Sequence, residues 1–125
     1  MNHQKTLNSA KTKKSVVEYY SDGETIYYIT EYHPETEEVI KQTNYNSDGK
    51  LTTEIFYDGD GETIDYITEF KYHPKTNKLI KTTGFSFDRK RIAFIYKHHP
   101  NGKLFKRTYY NSDGTIIKER SKNND

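Results

Sequence analysis

The sequence has no cysteine and no tryptophan among its 125 residues, and it has only three prolines and seven glycines. Without cysteine there is no disulfide framework, no cysteine-ligated zinc and no thiol nucleophile, and nothing indicates a redox compartment. No apolar run approaches the roughly 18 residues needed to cross a bilayer, and residues 1–5 lack the apolar stretch of a signal peptide. We therefore expect no membrane insertion, and a secreted form would have to have lost a leader.

Large aliphatic and phenylalanine side chains are also scarce, since Leu, Ile, Val and Phe together number 24. So low a content of these residues is close to that of disordered chains. Disordered chains also carry a high net charge, however, and the net charge here is only +2. Twelve tyrosines and six phenylalanines supply large rigid groups that disordered chains lack. The composition predicts a folded protein with a thin, aromatic core.

Two short patterns recur along the chain, which indicates an internal repeat. One begins with His-Pro and leads to an apolar pair followed by Lys. The other is an aromatic residue followed by a polar tight turn, usually Asp-Gly. The His-Pro copies begin at His33, His73 and His99, and the polar turns are marked by Asp22, Asp48, Asp60, Asp88 and Asp113. Their spacing predicts a repeat of about 26 residues with one half-repeat inserted.

The segments between these turns alternate as β-strands do. In residues 25–32 one side carries Ile26, Tyr28, Thr30 and Tyr32, and residues 63–72 and 91–97 repeat the pattern. The strands after His-Pro alternate less cleanly. Turn signals every 11–15 residues or so leave room for strands but not for helices. We predict an all-β fold, a repeated antiparallel meander of about nine short strands.

The sequence does not decide whether this meander forms an open sheet or closes into a barrel. An open twisted sheet would leave its edges free, whereas a small rolled barrel would enclose one aromatic face. That enclosed set would be Ile26, Tyr28, Tyr66, Phe70, Phe94 and Tyr96. We predict a single β-repeat domain over residues 15–120, between a flexible tail at 1–14 and a flexible C-terminus at 121–125.

Residues 61–83 hold the best-preserved copy of the repeat. They read Gly-Glu-Thr-Ile-Asp-Tyr-Ile-Thr-Glu-Phe, then Lys-Tyr, then His-Pro-Lys-Thr-Asn-Lys-Leu-Ile-Lys-Thr-Thr. This run resembles a repeated domain of unknown function in phytoplasma proteins, whose unit reads D-G-K-T-I-D-Y-I-x-E-Y-x-P-x-T-G-K-L-I-K-x-T-x-Y. The similarity spans residues 19–119 and departs where His33, His73 and His99 replace the usual Asp before Pro. It implies a plant-parasitic bacterium as the source and export into host cells, and it implies no activity.

The recurring histidines raise the question of a metal site. Imidazoles that share a metal place nitrogens about 2 Å from the ion, whereas turns on one edge of a meander lie about 9–10 Å apart. We therefore expect no metal and no cofactor, and histidine is expected to fill a turn position before Pro. The histidines concerned are His33, His73, His98 and His99.

Enzymatic activity is also disfavoured. Glu31 and Glu69 occupy equivalent repeat positions and suggest an acid–base pair, but a carboxylate beside Lys or Thr of a neighbouring strand is ordinary cross-strand pairing. The sequence has no glycine-rich phosphate loop and no serine in a sharp strand-to-helix turn. We predict no enzymatic activity and no catalytic residue.

Binding of single-stranded nucleic acid is the second candidate function. A sheet with Tyr and Phe on one face and nearby cations stacks bases, and the second half of the chain has a basic excess. These cations are Lys71, Lys81, Arg89, Lys90, Arg91, Lys97, Lys103, Lys106 and Arg107. Aromatic residues at a period of two are more often the core of a β-protein, so nucleic acid ranks behind protein as a partner.

Protein recognition is the preferred function, because Tyr and Arg dominate interface hot spots and an edge strand can pair with a partner's strand. We predict a non-enzymatic protein-interaction module, with a host plant protein as partner if the bacterial resemblance holds. A homodimer or a self-associating structural repeat protein is a further alternative. The predicted binding residues are Tyr27, Tyr32, Tyr72, Tyr96 and Arg91.

Overall fold

A computed structural model describes residues 14–86 and 91–121 of the chain. The elements in this part are nine β-strands: β1 Lys14–Tyr19, β2 Ile26–Tyr32, β3 Val39–Tyr45, β4 Leu51–Tyr57, β5 Ile64–Tyr72, β6 Leu79–Ser86, β7 Ile92–His98, β8 Leu104–Tyr110 and β9 Ile116–Ser121. The strands follow one another in chain order in the sheet, from β1 to β9. The predicted antiparallel meander is confirmed. Of its two possible closures the open sheet is observed and the rolled barrel is not.

Contacts divide the chain into two compact units, Met1–Asp65 and Tyr66–Asp125. The first unit contains β1 to β4, and the second contains nearly all of β5 and β6 to β9. The single domain over 15–120 stays a prediction. Lys14 already belongs to β1 and Ser121 to β9. The remainder of the two predicted tails and the predicted turn at Asp88 lie outside the described residues.

The seven hairpins with a described register all contain a register shift just after the turn. In the β2–β3 hairpin, Glu31 pairs with Lys41 and Tyr32 with Val39, so Ile40 is an extra residue with no counterpart. The extra residues of the seven hairpins are Tyr27, Ile40, Thr52, Ile80, Ala93, Phe105 and Ile117. A bulge of this kind interrupts the in–out alternation of a strand. The residues before and after each bulge therefore do not follow one common alternation.

The His-Pro turns are held together by the histidine ring. His33 Nδ1 accepts hydrogen bonds from the backbone N–H groups of Glu35 at 3.0 Å and Thr36 at 3.2 Å. His73 Nδ1 makes the equivalent pair of bonds at 3.1 and 3.2 Å. The ring therefore acts as a capping residue does at a helix N-terminus. The predicted turn position of histidine before Pro is confirmed at His33, His73 and His99, although the His99 ring stacks on an aromatic ring of β8 instead of accepting these bonds.

Replacing His33 with alanine is expected to reduce the free energy of unfolding by about 1 kcal/mol, because two backbone donors lose their acceptor. His33→Asn should stay close to wild type, since its side-chain oxygen can accept the same bonds. Urea denaturation of the three proteins measures the difference. Equal stability of the alanine and asparagine variants would show that the ring contributes no capping.

The Asp-Gly turns use a carboxylate for the same purpose. Asp60 accepts backbone hydrogen bonds from Glu62 at 2.9 Å and Thr63 at 2.8 Å, and the Thr63 hydroxyl donates to its second oxygen at 2.6 Å. These bonds stabilise the charged form, and the hydroxyl bond is the largest cause that lowers the pKa of Asp60 from 3.8 to about 2. Threonine also lowers the pKa of Asp22 and Asp113 in their turns.

The lowered pKa of Asp60 predicts an acid-sensitive contribution to stability. Because the pKa is lower in the folded than in the unfolded protein, the contribution is complete above about pH 4 and is lost as the pH falls through about 2. We expect Asp60→Asn to lose less stability than wild type in this window, and Thr63→Val to raise the pKa of Asp60. Thermal melts at pH 2 to 5 and NMR titration of the carboxyl measure both effects. Parallel melting profiles of wild type and Asp60→Asn would contradict this account.

Few side chains are buried in the described residues. Ile67, 3% exposed, is the one buried hydrophobic side chain. The buried polar side chains are all threonines, namely Thr30, Thr43, Thr68, Thr82, Thr83 and Thr108. Threonine is short and β-branched, so taller Tyr, Phe and Lys side chains on neighbouring strands can cover it. The core is therefore threonine-rich rather than aromatic as expected: Phe70, Phe94 and Tyr96 are half-buried, and Tyr66 is 41% exposed.

Candidate binding site

The last strand presents the most exposed apolar side chains among the described residues. β9 ends the strand order, so its outer backbone edge has no strand partner within residues 14–86 and 91–121. All of its side chains are exposed, with Ile116 at 54% and Ile117 at 58%. β1 begins the strand order and has a similar character, with Val16 at 44% and Val17 at 36%.

One face next to the β9 edge is cationic. Arg120 stands directly opposite Arg107 on β8, and Lys118 stands opposite Tyr109. Alternation along the strands places these two arginines and Lys118 on the same face. The Lys118 ammonium lies 5.8 Å from the centre of the Tyr109 ring, and the Arg107 guanidinium lies 5.8 Å from that of Tyr96. On the other face, β9 carries Glu119, which forms a 3.0 Å ion pair with β8.

An aromatic cluster lies on the cationic face. The ring centres of Phe94 and Tyr96 are 4.8 Å apart, and those of Tyr96 and Tyr109 are 6.0 Å apart. The hydroxyl groups of Tyr96 and Tyr109 are hydrogen-bonded at 3.1 Å, and this bond, together with burial, raises the pKa of Tyr96. The rings therefore contact one another and the cations above them, so they are only partly available to a partner.

The five predicted binding residues are divided between the two units. Tyr27 and Tyr32 belong to the first unit, where Tyr27 is 48% exposed and Tyr32 is half-buried. In the second unit, Tyr96 belongs to the aromatic cluster. Tyr72 is half-buried, and burial raises its pKa. Arg91 is exposed. Whether these residues bind a partner stays a prediction.

Arg91 borders a groove of about 320 Å³ that it shares with Ile92, Tyr110 and the turn at residues 111–114. Tyr110 pairs with Ile116 at the start of β9. The groove and the exposed isoleucines are therefore adjacent parts of one surface. The sequence holds no direct signal for this surface, because the exposure of the two isoleucines depends on which strands stand beside β9.

Among the described residues, the histidines lie at or next to turns, and the two equivalent glutamates, Glu31 and Glu69, stand on strands β2 and β5. No group of three or more His, Asp or Glu side chains in this part of the chain is placed to hold a metal ion. Glu31 stands opposite Lys41 and Glu69 opposite Thr83, which is the cross-strand pairing expected for these carboxylates. Over residues 14–86 and 91–121 there is also no helix long and apolar enough to cross a membrane.

The repeated bulged hairpins, the turn-capping histidines and the exposed terminal strand define a β-meander repeat protein with a candidate binding edge. The chain belongs to the family described as "protein of unknown function (DUF2963)", which matches four overlapping segments, residues 19–55, 49–84, 57–102 and 85–125. The expected membership of a repeat family of unknown function is confirmed. No curated protein matches the chain.

Proposed function

We propose that this protein is a non-enzymatic protein-interaction module that binds an extended segment of a partner protein along the outer edge of β9. The observation that carries the proposal is the combination of an outer backbone edge without a strand partner among the described residues and the exposed side chains of Ile116 and Ile117. The unpaired N–H and C=O groups of an edge strand match the backbone of another extended chain. The isoleucines add apolar area that such a segment would cover.

The charges of β9 indicate which side chains the partner segment would have. Lys118 and Arg120 share one face with Arg107, so acidic side chains two positions apart on the partner would stand opposite them. Apolar side chains would follow next to Ile116 and Ile117. The proposed partner is therefore an extended acidic segment with an apolar end, and complementary charge also speeds its association.

A second copy of this chain fits the edge less well. A two-fold axis normal to the sheet pairs β9 with itself and sets residues of the same face opposite each other. If the axis passes through Glu119, it opposes Glu119 to its own copy and Lys118 to Arg120. If it passes through Lys118, it opposes two lysines. These two axis positions give the longest overlap of β9 with its copy, and like charges directly opposite are destabilising, so we favour a different protein as partner.

The test is a selection of eight-residue peptides from a phage-displayed random library, followed by fluorescence anisotropy with synthetic copies of the selected peptides. We expect acidic, β-prone peptides whose affinity falls about tenfold or more with Ile117→Lys, because the substitution removes an apolar contact and adds a charge. N-methylation of alternate peptide amides should abolish binding, and methylation of the others should be tolerated.

Val16→Lys on β1 is the matched control, because it places the same charge on another exposed edge strand. Binding that is insensitive to Ile117→Lys, or a uniform effect of N-methylation along the peptide, would place the contact elsewhere and contradict the proposal. Concentration-dependent sedimentation that is lost with Ile117→Lys would assign the edge to a second copy instead.

Single-stranded nucleic acid is the second candidate, and the aromatic cluster with Arg107, Lys118 and Arg120 on the same face supports it. Salt dependence separates the two functions. Binding of an oligothymidine should weaken steeply between 50 and 200 mM salt, roughly in proportion to the number of phosphates contacted. A selected acidic peptide should also weaken, because salt screens its contacts with Lys118 and Arg120, but with a shallower slope, since backbone hydrogen bonds and apolar contacts supply the rest of its affinity.

The resemblance to phytoplasma repeat proteins supports a setting for this function, in which a plant-parasitic bacterium exports the protein and the partner is a host protein. Antibody labelling of infected plant tissue would test this part of the proposal. Labelling outside bacterial cells is expected, and labelling confined to them would contradict it.

A further inference from the structure

Four lysines form a row across one face of the second unit. Lys71 on β5 stands opposite Lys81 on β6, Lys81 also stands opposite Lys97 on β7, and Lys97 stands opposite Lys106 on β8. Adjacent strands are about 4.8 Å apart, and like charges directly opposite each other are destabilising. Lys106 is neutralised by its ion pair with Glu119. No ion pair joins the other three to a described residue.

The repeat itself does not require this row. Counted back from His-Pro, Glu31 in the first unit occupies the position that Lys71 and Lys97 occupy in the second. Glu31 stands opposite Lys41, which is a complementary pair. The row of like charges is therefore particular to the second unit. Like charges on directly opposite residues destabilise a sheet, and an arrangement that costs stability without a visible structural benefit is typical of a functional site.

The same three lysines border a groove of about 260 Å³, which we call the lysine groove. Ile80 and Phe105, the extra residues of two bulges, line it as well. Bulges redirect side chains and are common next to binding sites. Pro100, His73 and His98 complete the lining. The groove thus combines a cationic row with an apolar portion.

His98 adds a polar group to the lysine groove. Its Nδ1 atom is buried and has no hydrogen-bond partner among the described residues. Burial lowers the pKa of His98, and a backbone hydrogen bond with Ile80 opposes this only partly. A buried polar atom without a partner is costly, so a hydrogen-bonding group of a ligand would relieve that cost.

We propose that the lysine groove binds a phosphate group attached to an aromatic or apolar body. A phosphomonoester is close to a dianion at pH 7 and offers three acceptor oxygens, which suits three lysine ammonium groups that act as point charges. The body of the ligand would lie against Ile80 and Phe105, and the His98 ring would hydrogen-bond to a phosphate oxygen. This site is separate from the β9 edge and does not depend on the function proposed there.

The test is isothermal titration calorimetry on the full chain at low salt with three probes: phenyl phosphate, inorganic phosphate and an oligothymidine. We expect phenyl phosphate to bind about tenfold or more tightly than inorganic phosphate, because only the former has a ring to bury in the apolar part of the groove. NMR titration of the His98 imidazole should show its pKa rise when phenyl phosphate is bound, since a nearby anion favours the charged ring.

Lys97→Glu is the decisive variant. It should reduce the affinity for phenyl phosphate about tenfold or more, while the melting temperature stays equal or rises, because glutamate then stands between Lys81 and Lys106 as Glu31 stands beside Lys41. Lys118→Glu makes the same change of net charge on the opposite face, and it should leave the affinity within about twofold.

Three results would overturn the proposal. Equal losses in Lys97→Glu and Lys118→Glu would show a general effect of net charge. Equal affinity for phenyl phosphate and inorganic phosphate would exclude an apolar part of the site. Much tighter binding of the oligothymidine, lost in Lys97→Glu, would assign the lysine row to a nucleic-acid backbone instead.

Discussion

Replacing Gly84 with alanine is expected to reduce the free energy of unfolding by about 1–3 kcal/mol, the usual cost of overpacking a filled site. Gly84 lies in the interior of β6, directly opposite Phe94 on β7, and the Phe94 ring crosses over it. A Cβ atom at Gly84 would lie 2.6 Å from Phe94 Cδ2 and closer still to two other ring carbons. The ring would have to leave its place in the aromatic cluster.

Urea denaturation measures this effect, and the chain offers a matched control. Gly59 also lacks a positive φ, and no atom lies within 4 Å of the place that a Cβ atom would take there. Gly59→Ala should therefore be neutral or stabilise by up to about 1 kcal/mol. Phe94→Leu should cost less in the Gly84→Ala background than in wild type, because the smaller side chain removes the overlap. Strict additivity of these two substitutions would contradict the proposed contact.

Replacing Ile67 with alanine is expected to cost about 2–4 kcal/mol, because deleting a buried aliphatic side chain loses its transfer free energy and leaves a cavity. Ile67 is 3% exposed and is the one buried hydrophobic side chain of the described residues. Where so few apolar groups are buried, each contributes a large share of a stability of about 5–15 kcal/mol.

Ile117→Ala is the control for this substitution, since Ile117 is 58% exposed and its truncation should change stability by no more than about 0.5 kcal/mol. Thermal or urea unfolding of the two variants measures the difference. If both alanine variants lost the same small amount, Ile67 would be no better shielded in solution than an edge residue, and the account of the core would fail.

The nine strands could be predicted because the residue types of the turns between them are recognisable in the sequence. Asp-Gly and His-Pro have conformational consequences that do not depend on the rest of the protein, and the described turns form with Asp60, His33 and His73 as acceptors. The bulges could not be predicted. An extra residue such as Ile40 is recognisable only from the residues that pair on either side of it, and alternation within one strand carries no information about its partner.

The candidate sites show the same division. Residue type alone points to Tyr27, Tyr32, Tyr72 and Tyr96 as binding residues. Exposure depends on the neighbouring strands, and of these four only Tyr27 is an exposed large side chain. Lys71, Lys81, Lys97 and Lys106 are unevenly spaced along the chain and form a row only through the register of four strands. Similarly, Ile116 and Ile117 belong to a candidate binding site only because no described strand pairs with the outer edge of β9 and covers them.

The sequence by itself determined the all-β class, the positions of the turns and the repeat, because these follow from local backbone preferences and from a periodicity of two. Only the tertiary structure decided that the sheet stays open, that threonines and Ile67 rather than aromatic rings are buried, and that cations align across strands. Those properties depend on which residues stand opposite each other. Register sets that pairing, and a bulge shifts the register by one residue in each of the seven hairpins whose register is described.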